Sequence, residues 1–281
     1  MNKLKRLALD FSRYLSYLDH RNDPSRQFVP ISWPRQARQR VWDKRNRTYL
    51  DFEIRRKTTD WPIFEQIFLQ EDYRLSGLRR ATAIQHSYQN IIKTGGTPLI
   101  LDCGANNGLS CAWFAQTYPE AFVVGIEPEA ANFAIAVRNT QKLTNVNLLN
   151  AAVAANDGLL SIHDPGHGTS GYMTTRVTNN DTRNTIPAHS IASIVDLATK
   201  ERPTSHLVPF IVNIDIEGFE GDLFACNTDW IDSVPLIFVE LHDWILPGQL
   251  TSANFLKAVA SRRRDFVMRG ENVISIACNH D

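Results

Sequence analysis

The sequence predicts an α/β fold, a doubly wound and mostly parallel sheet carrying an N-terminal helical appendage. Three observations predict it. Leu99–Leu101 form an apolar run ending at Asp102, and a small polar turn framed by Gly104 and Gly108 follows. Beyond it Leu109, Ala112, Trp113 and Ala115 fall at helical spacing, so the stretch reads strand, tight turn, helix. A second apolar run, Ala121–Ile126, ends at Glu127-Pro128, 19 residues past Gly108. From there strand-like and helix-like segments keep alternating, as parallel sheets with crossover helices do.

With 281 residues the chain can bury a full core. An apolar fraction of 43% and a charged fraction of 21% belong to ordinary globular proteins. No apolar run approaches the roughly 18 residues that span a membrane. Asp10 and Arg13 interrupt any signal-peptide core after Lys3, Lys5 and Arg6. Cys103, Cys111, Cys226 and Cys278 show neither zinc-knuckle nor disulfide spacing, so a reducing cytoplasm is the expected compartment. The net charge is zero, but residues 1–60 hold 15 Lys/Arg against 7 Asp/Glu, which leaves the remainder 15 against 23. A basic arm of this kind could serve an anionic substrate or lipid surface, or dock on its own acidic body.

Taken in order, Leu4, Leu7, Phe11, Leu15 and Leu18 predict an amphipathic helix that stops near Asn22-Asp-Pro24. It suits packing on the body or on a second copy better than membrane attachment. Residues 25–60, with Trp33 and Trp42 among arginines, read as irregular with a short helix around Gln36–Arg45. No nucleic-acid signature accompanies them, and no nucleic acid is expected. Residues 1–57 are thus expected to be a basic arm that shapes acceptor access, ahead of a domain spanning 58–281. Two helices broken near Gly77 are predicted between Pro62 and Asn90. Strand 99–101, helix 109–117, strand 122–126, helix 129–142 and strand 146–149 follow, then Ala151–Ala155. Residues 156–210 leave this rhythm as a hairpin at 158–162 and long polar, Gly-rich loops, a composition typical of lids. His163 and His167 flank Pro165-Gly166, which forbids a helix between them, and they read as loop histidines. Strands return at 209–214, 236–241, 266–268 and 272–277.

The first turn carries chemistry. Glycines at 104 and 108 let a ligand approach the backbone, and the helix start offers free N–H groups. The spacing Asp-x-Gly-x-x-x-Gly departs from the dinucleotide fingerprint. Asp102 would repel a pyrophosphate but welcome the amino group of an amino-acid-like ligand, which favours S-adenosylmethionine over NAD. Glu127 stands where an acidic side chain holds a ribose diol. In a doubly wound sheet the ligand edge lies outside the carboxyl ends of the strands, so Asp102, Glu127, Asp215, Glu217 and His242 all fall along it.

These residues resemble the FkbM-type methyltransferases, class I enzymes that use S-adenosylmethionine. The likeness rests on Leu101-Asp-Cys-Gly-Ala-Asn-Asn-Gly-Leu-Ser110; on Gly125-Ile-Glu-Pro-Glu129 with Asn132 and Asn139; on Asn213-Ile-Asp-Ile-Glu-Gly-Phe-Glu220; and on Val239-Glu-Leu-His242. A weaker likeness runs from Thr58-Thr-Asp60 through Ile67-Phe68 to Tyr73. The resemblance implies a seven-stranded Rossmann-like methyltransferase sheet whose last two strands form an antiparallel pair. It also implies an S-adenosylmethionine site built from Asp102, Gly104, Ala105, Asn106, Gly108, Glu127, Pro128, Ala152 and Asp215. The implied reaction is O-methylation of a sugar, glycan or other secondary metabolite. One departure stands out: relatives often carry Lys where this chain has Asn213.

Methyl transfer from a sulfonium requires an aligned acceptor oxygen and a group to take its proton. His242, with an ordinary pKa of about 6.5, could supply that group, and Asp215 or Glu217 could act as base or orient the hydroxyl. The same acidic pair, with His242 and Asp243, could instead hold Mg²⁺. Asp215 could equally cap the following helix, Glu217 could complement its dipole, and His242 could be a loop histidine. An NAD(P) oxidoreductase and a non-catalytic scaffold that uses the arm as its interaction surface are the alternatives.

Overall fold

The computed structural model describes residues 22–163, 173–176, 185–244 and 246–278, together with Phe11, Ser12 and Leu15. Apart from those three residues, the expected helix over 4–18 lies outside the described residues, as do His167 and the polar loops at 164–171 and 178–182.

Seven strands form the central sheet: β4 (Thr97–Cys103), β5 (Phe122–Ile126), β6 (Val146–Leu149), β11 (Leu207–Ile214), β12 (Leu236–Glu240), β13 (Arg264–Arg269) and β14 (Asn272–Ala277). Their order is β13-β14-β12-β11-β4-β5-β6. The run from β12 to β6 is parallel, and β14 and β13 close the edge antiparallel. The chain steps from β4 to β5 on one side and returns through β11 on the other. The tips of β4 and β11 are therefore the switch point where this architecture opens a crevice. Alternate residues face opposite layers: Ile100 joins one core cluster with Trp113 and Phe238, while Leu99 and Leu101 join the other with Ile194 and Phe255. Burial on both faces is why these strands read as unbroken apolar runs.

Helix α1 (Asp60–Phe64) passes into a π-helical stretch at Glu65–Gln70, and α2 (Ala81–Lys93) follows a break that includes Gly77. Helices α3 (Leu109–Thr117) and α4 (Ala130–Thr140) cover β4 to β6.

Two sequence expectations need correction. Residues 36–45 are not a helix. Strands β1 (Phe28–Pro30), β2 (Arg38–Asp43) and β3 (Thr48–Glu53) form an antiparallel sheet, and Phe28, Val41, Leu50, Phe52 and Ile54 enter the main core. Gln39 and Asp43 occupy inward positions of β2 normally left to apolar residues, which hid its alternation. Gln39 donates to the carbonyls of Trp33 and Gln36, and Asp43 accepts from Gln27, Arg45 and Asn46, so hydrogen bonds hold both inside, although Gln39 Oε1 finds no partner. The hairpin expected at 158–162 is one strand of a second sheet. That sheet, ordered β7-β10-β8-β9, contains β7 (Ala152–Val153), β8 (Gly158–His163), β9 (Met173–Arg176) and β10 (Thr185–His189). His163 ends β8 opposite Met173. Helix α5 (Ile191–Glu201), not read from the sequence, then leads back into β11. Among the described residues no helix is long and apolar enough to cross a membrane.

Candidate functional site

Gly104, just past the tip of β4, has φ +91°. A methyl group in its place would lie 1.7 Å from the carbonyl oxygen of Asp215. Glycine there lets the β4 and β11 tips touch, and Asp215 N–H donates to the Cys103 carbonyl across the same seam. Gly108 serves packing: at φ +77° its added Cβ would meet Ala136 of α4 at 2.9 Å.

Asp102 lies beneath the turn and not at its surface. Its carboxylate is fully buried and lines neither of the two crevices at this sheet edge. Ser110 Oγ donates at 2.6 Å and Cys111 Sγ at 2.9 Å to one oxygen, and Asn213 Nδ2 donates at 2.8 Å to the other. Burial pushes its pKa up, against these three donors. Asn213 faces Asp102 in the β4–β11 register and also reaches the Tyr73 hydroxyl at 3.4 Å. Asp102 is thus a fastener beneath the turn, and Ser110 is the residue above it that faces the cleft.

Glu127 keeps its expected place at the β5 tip. It accepts the backbone N–H of Asn106 and of Glu129, each at 2.9 Å, and burial pushes its pKa up to about 7. Asn132 stands at 3.5 Å from it and accepts from Arg55, whose guanidinium also clasps the buried Asp60 at 2.8 Å. Asn139 ties Asn107 to Glu53 of β3. The Asp60, Asn132 and Asn139 positions therefore support the turn from behind. Gly104, Asn106, Glu127, Pro128, Ala152 and Asp215 line a narrow crevice of about 40 Å³. Gly104, Asn106, Asp215 and Glu217 also line a cleft of about 490 Å³ beside it, joined there by Ala105, so the two spaces share a wall.

The wider cleft contains the expected trio and more. His242 is buried, with Nδ1 2.9 Å from Glu220 Oε1. Its Nε2 lies 3.5 Å from Asp215 Oδ1, 3.5 Å from Glu240 Oε1 and 3.8 Å from Glu217 Oε2. Burial opposes the imidazolium, but hydrogen bonds to Glu220 and Glu240 and the charge of Asp215 outweigh it, pushing the pKa to about 11. Glu220 thus holds one ring nitrogen of His242, and Asp215, Glu240 and Glu217 surround the other. Glu217 is pushed up to about 7 by burial, and burial with the charge of Glu240 raises Asp215 well above its ordinary value. Glu217 also sits at φ +54°, a strained position for a non-glycine residue.

The capping alternative for Asp215 falls away: the next helix, α6 (Glu220–Leu223), starts five residues later and has no side-chain cap. Asp243 is turned elsewhere, accepting from Thr251 and Ser252. Glu240 and Glu220 are functional neighbours that the sequence reading did not assign. Period-two spacing could have found Glu240, which ends β12 two residues before His242. Asp72, Trp244 and Glu271 also line the cleft, and nothing in their local sequence announced it. No described residue before Thr59 lines it.

The profile of the methyltransferase FkbM domain matches residues 102–267. No curated protein matches the sequence. Among solved structures, a methyltransferase from Geobacter sulfurreducens is 16% identical over 76% of this chain and 86% of its own, with a TM-score of 0.34. An S-adenosylhomocysteine-bound methyltransferase from Podospora anserina is 12% identical over 77% and 85%, at 0.36. A SAM-dependent methyltransferase from Aquifex aeolicus is 11% identical over 73% and 96%, at 0.32. At TM-scores this low these likenesses carry no weight for cofactor or acceptor.

Proposed function

The chain belongs to the FkbM methyltransferase family, and on that premise we propose that it uses S-adenosylmethionine to methylate a hydroxyl of an uncharged or cationic acceptor such as a sugar or glycan. The observation that carries this reading is the shared wall: the Gly104–Asn106 turn and Asp215 border both the narrow crevice and the wide acidic cleft. A donor bound along the crevice would present its reactive end to the cleft. The donor set fits such a ligand. Glu127 offers buried carboxylate oxygens to a ribose diol, Asn106 and Pro128 flank it, and Ala152 with Val153 give an apolar wall to a base. At about 40 Å³ the crevice admits an adenosine only as its walls part. S-adenosylmethionine would supply an activated methyl group on a cationic sulfur.

The chain's own contribution is placement and proton removal. Asp215 and Glu217 face the cleft from the β11 tip and are the groups proposed to accept the acceptor's hydroxyl proton. His242 holds the carboxylates together. The cleft also speaks to acceptor charge. Asp72, Asp215, Glu217, Glu240 and Glu271 line it, and no Lys or Arg does among the described residues, which disfavours phosphorylated or sulfated acceptors. Trp244, 69% exposed at the rim, offers a flat face to a sugar ring. Four free thiols suit the reducing cytoplasm proposed as its compartment. Calorimetry with S-adenosylhomocysteine and with NAD, followed by mass spectrometry for a single added methyl on hydroxylated acceptors, tests the reading. Binding of S-adenosylhomocysteine but not NAD, with transfer to oxygen, is expected. Preference for NAD overturns the cofactor, and transfer to nitrogen or carbon overturns the acceptor.

A further inference from the structure

We propose that His242, Asp215 and Glu240, with Glu217 beside them, form a binding site for one divalent first-row transition ion of the Mn²⁺ type.

The geometry comes first. One ligand atom from each of Asp215, Glu240 and His242 falls within 4.8 Å of the others. Ligands bound at about 2.1 Å around an octahedral ion stand about 3–4.2 Å apart, so the three groups need only small side-chain movements to close on one centre. Nε2 of His242 faces this centre, and Glu217 Oε2, 3.8 Å from the same nitrogen, is available as a further oxygen.

Three independent features distinguish the cluster from a patch of surface acids. His242 is 1% exposed and Glu220 fully buried, and their 2.9 Å contact fixes Nδ1 so that only Nε2 is offered to the carboxylates. A carboxylate behind the far nitrogen is the usual support of a metal-bound imidazole, because it sets the tautomer and ring orientation. Asp215 Oδ1 is shielded from solvent yet accepts no hydrogen bond, the condition of an oxygen awaiting a cation. Finally, none of the described cleft-lining residues is Lys or Arg, so no side-chain cation other than the imidazole faces these oxygens.

The donor set also selects among ions. One imidazole nitrogen with carboxylate oxygens suits Mn²⁺, Fe²⁺ or Zn²⁺ better than Mg²⁺, which prefers oxygen alone and retains its waters. Asp243, which the sequence had offered as a Mg²⁺ partner, is held by Thr251 and Ser252 and takes no part. The other occupant of the space is a proton on Nε2. An ion there would polarise an acceptor hydroxyl and make it more acidic. That role rests on the methyl-transfer reading, but the binding site itself does not.

The test uses the full chain stripped with chelator and titrated with Mn²⁺ alone, free ion being followed by its EPR signal. One Mn²⁺ per chain is expected. Asp215→Asn and Glu240→Gln should each weaken it at least about tenfold, and Glu220→Gln about 10–100-fold through the imidazole. Asp72→Asn, on the same cleft wall, should leave affinity within about twofold. Nitrogen hyperfine coupling on Mn²⁺ bound to the unaltered protein should report the imidazole, and this measurement needs no variant to fold. Absence of Mn²⁺ binding, absence of nitrogen coupling, or unchanged affinity in both folded Asp215→Asn and Glu240→Gln overturns the site and leaves His242 as an imidazolium. S-adenosylhomocysteine calorimetry in chelator separates the two readings: retained cofactor binding without Mn²⁺ binding defeats the ion alone.

Discussion

Glu220 Oε1 lies 2.9 Å from Nδ1 of His242, with both side chains out of solvent. Breaking a buried charge pair by removing one partner leaves the other uncompensated and typically costs about 3–5 kcal/mol. Glu220→Ala is expected to lose stability of that order in urea unfolding. Glu220→Gln, which keeps an acceptor for the Nδ1 proton, should lose less. Affinity for S-adenosylhomocysteine should stay within about twofold in both, because neither residue borders the narrow crevice.

Asp102 and Glu127 should separate in their effects. Asp102→Ala strands Asn213 and Ser110 as buried donors, each worth about 1–3 kcal/mol, so the main result should be a lowered unfolding midpoint. Glu127→Ala should weaken S-adenosylhomocysteine binding by about 1.5–3 kcal/mol in calorimetry, with the smaller stability change.

Gly104→Ala forces a methyl group onto the Asp215 carbonyl at a backbone angle that favours glycine. Strain and overlap of this kind cost about 1–3 kcal/mol each. The variant should be destabilised by several kcal/mol and lose cofactor affinity, as thermal melts with and without S-adenosylhomocysteine would report. Gly158→Ala, with open space around it, is the control and should shift stability by less than about 0.5 kcal/mol.

Glu127 also sets a pH dependence. Its folded pKa of about 7 lies above the ordinary 4.5, so the native state holds the proton more tightly than the unfolded chain. That contribution to stability is complete below about pH 4.5 and is lost as pH rises through 7, by at most about 3 kcal/mol. A ribose diol donates to the ionised form. Affinity for S-adenosylhomocysteine should therefore rise between pH 5.5 and 7.5, at up to about tenfold per unit, and Glu127→Gln should flatten the profile.

Removing residues 1–57 should unfold the protein rather than trim it. Phe28, Val41, Phe52 and Ile54 lie in the main core, and Arg55 clasps Asp60. Losing several fully buried side chains, each worth about 2–5 kcal/mol, exceeds the stability of an ordinary domain. A chain starting at Thr58 that melted cooperatively near the full-length midpoint would refute this.

Much of the central sheet was legible in the sequence because its signals are local. The spacing of apolar residues around Gly104–Gly108 gave α3 at 109–117, β5 was read at 122–126, β6 at 146–149 and β14 at 272–277, all within one or two residues of their positions. Where the inward face carries polar groups, the pattern failed. Gln39 and Asp43 sit inside on hydrogen bonds from chain neighbours and from distant residues, and no hydropathy period records such partners. Helix α5 was likewise passed over within a stretch read as loops.

Strand ends and turn glycines, legible along the chain, place Asp102, Glu127, Asp215, Glu217 and His242 at the carboxyl edge of the sheet. Which way each one faces and what it meets follow from packing between distant segments. Asn213 lies 111 residues from Asp102 yet stands opposite it in the β4–β11 register, and its amide holds that carboxylate inside. Glu220 and Glu240 come from different elements to opposite nitrogens of one imidazole, so the expected base is ringed by carboxylates. Charge and hydrogen bonding act over a few ångströms, and those distances are set by packing between strands, not by spacing along the chain.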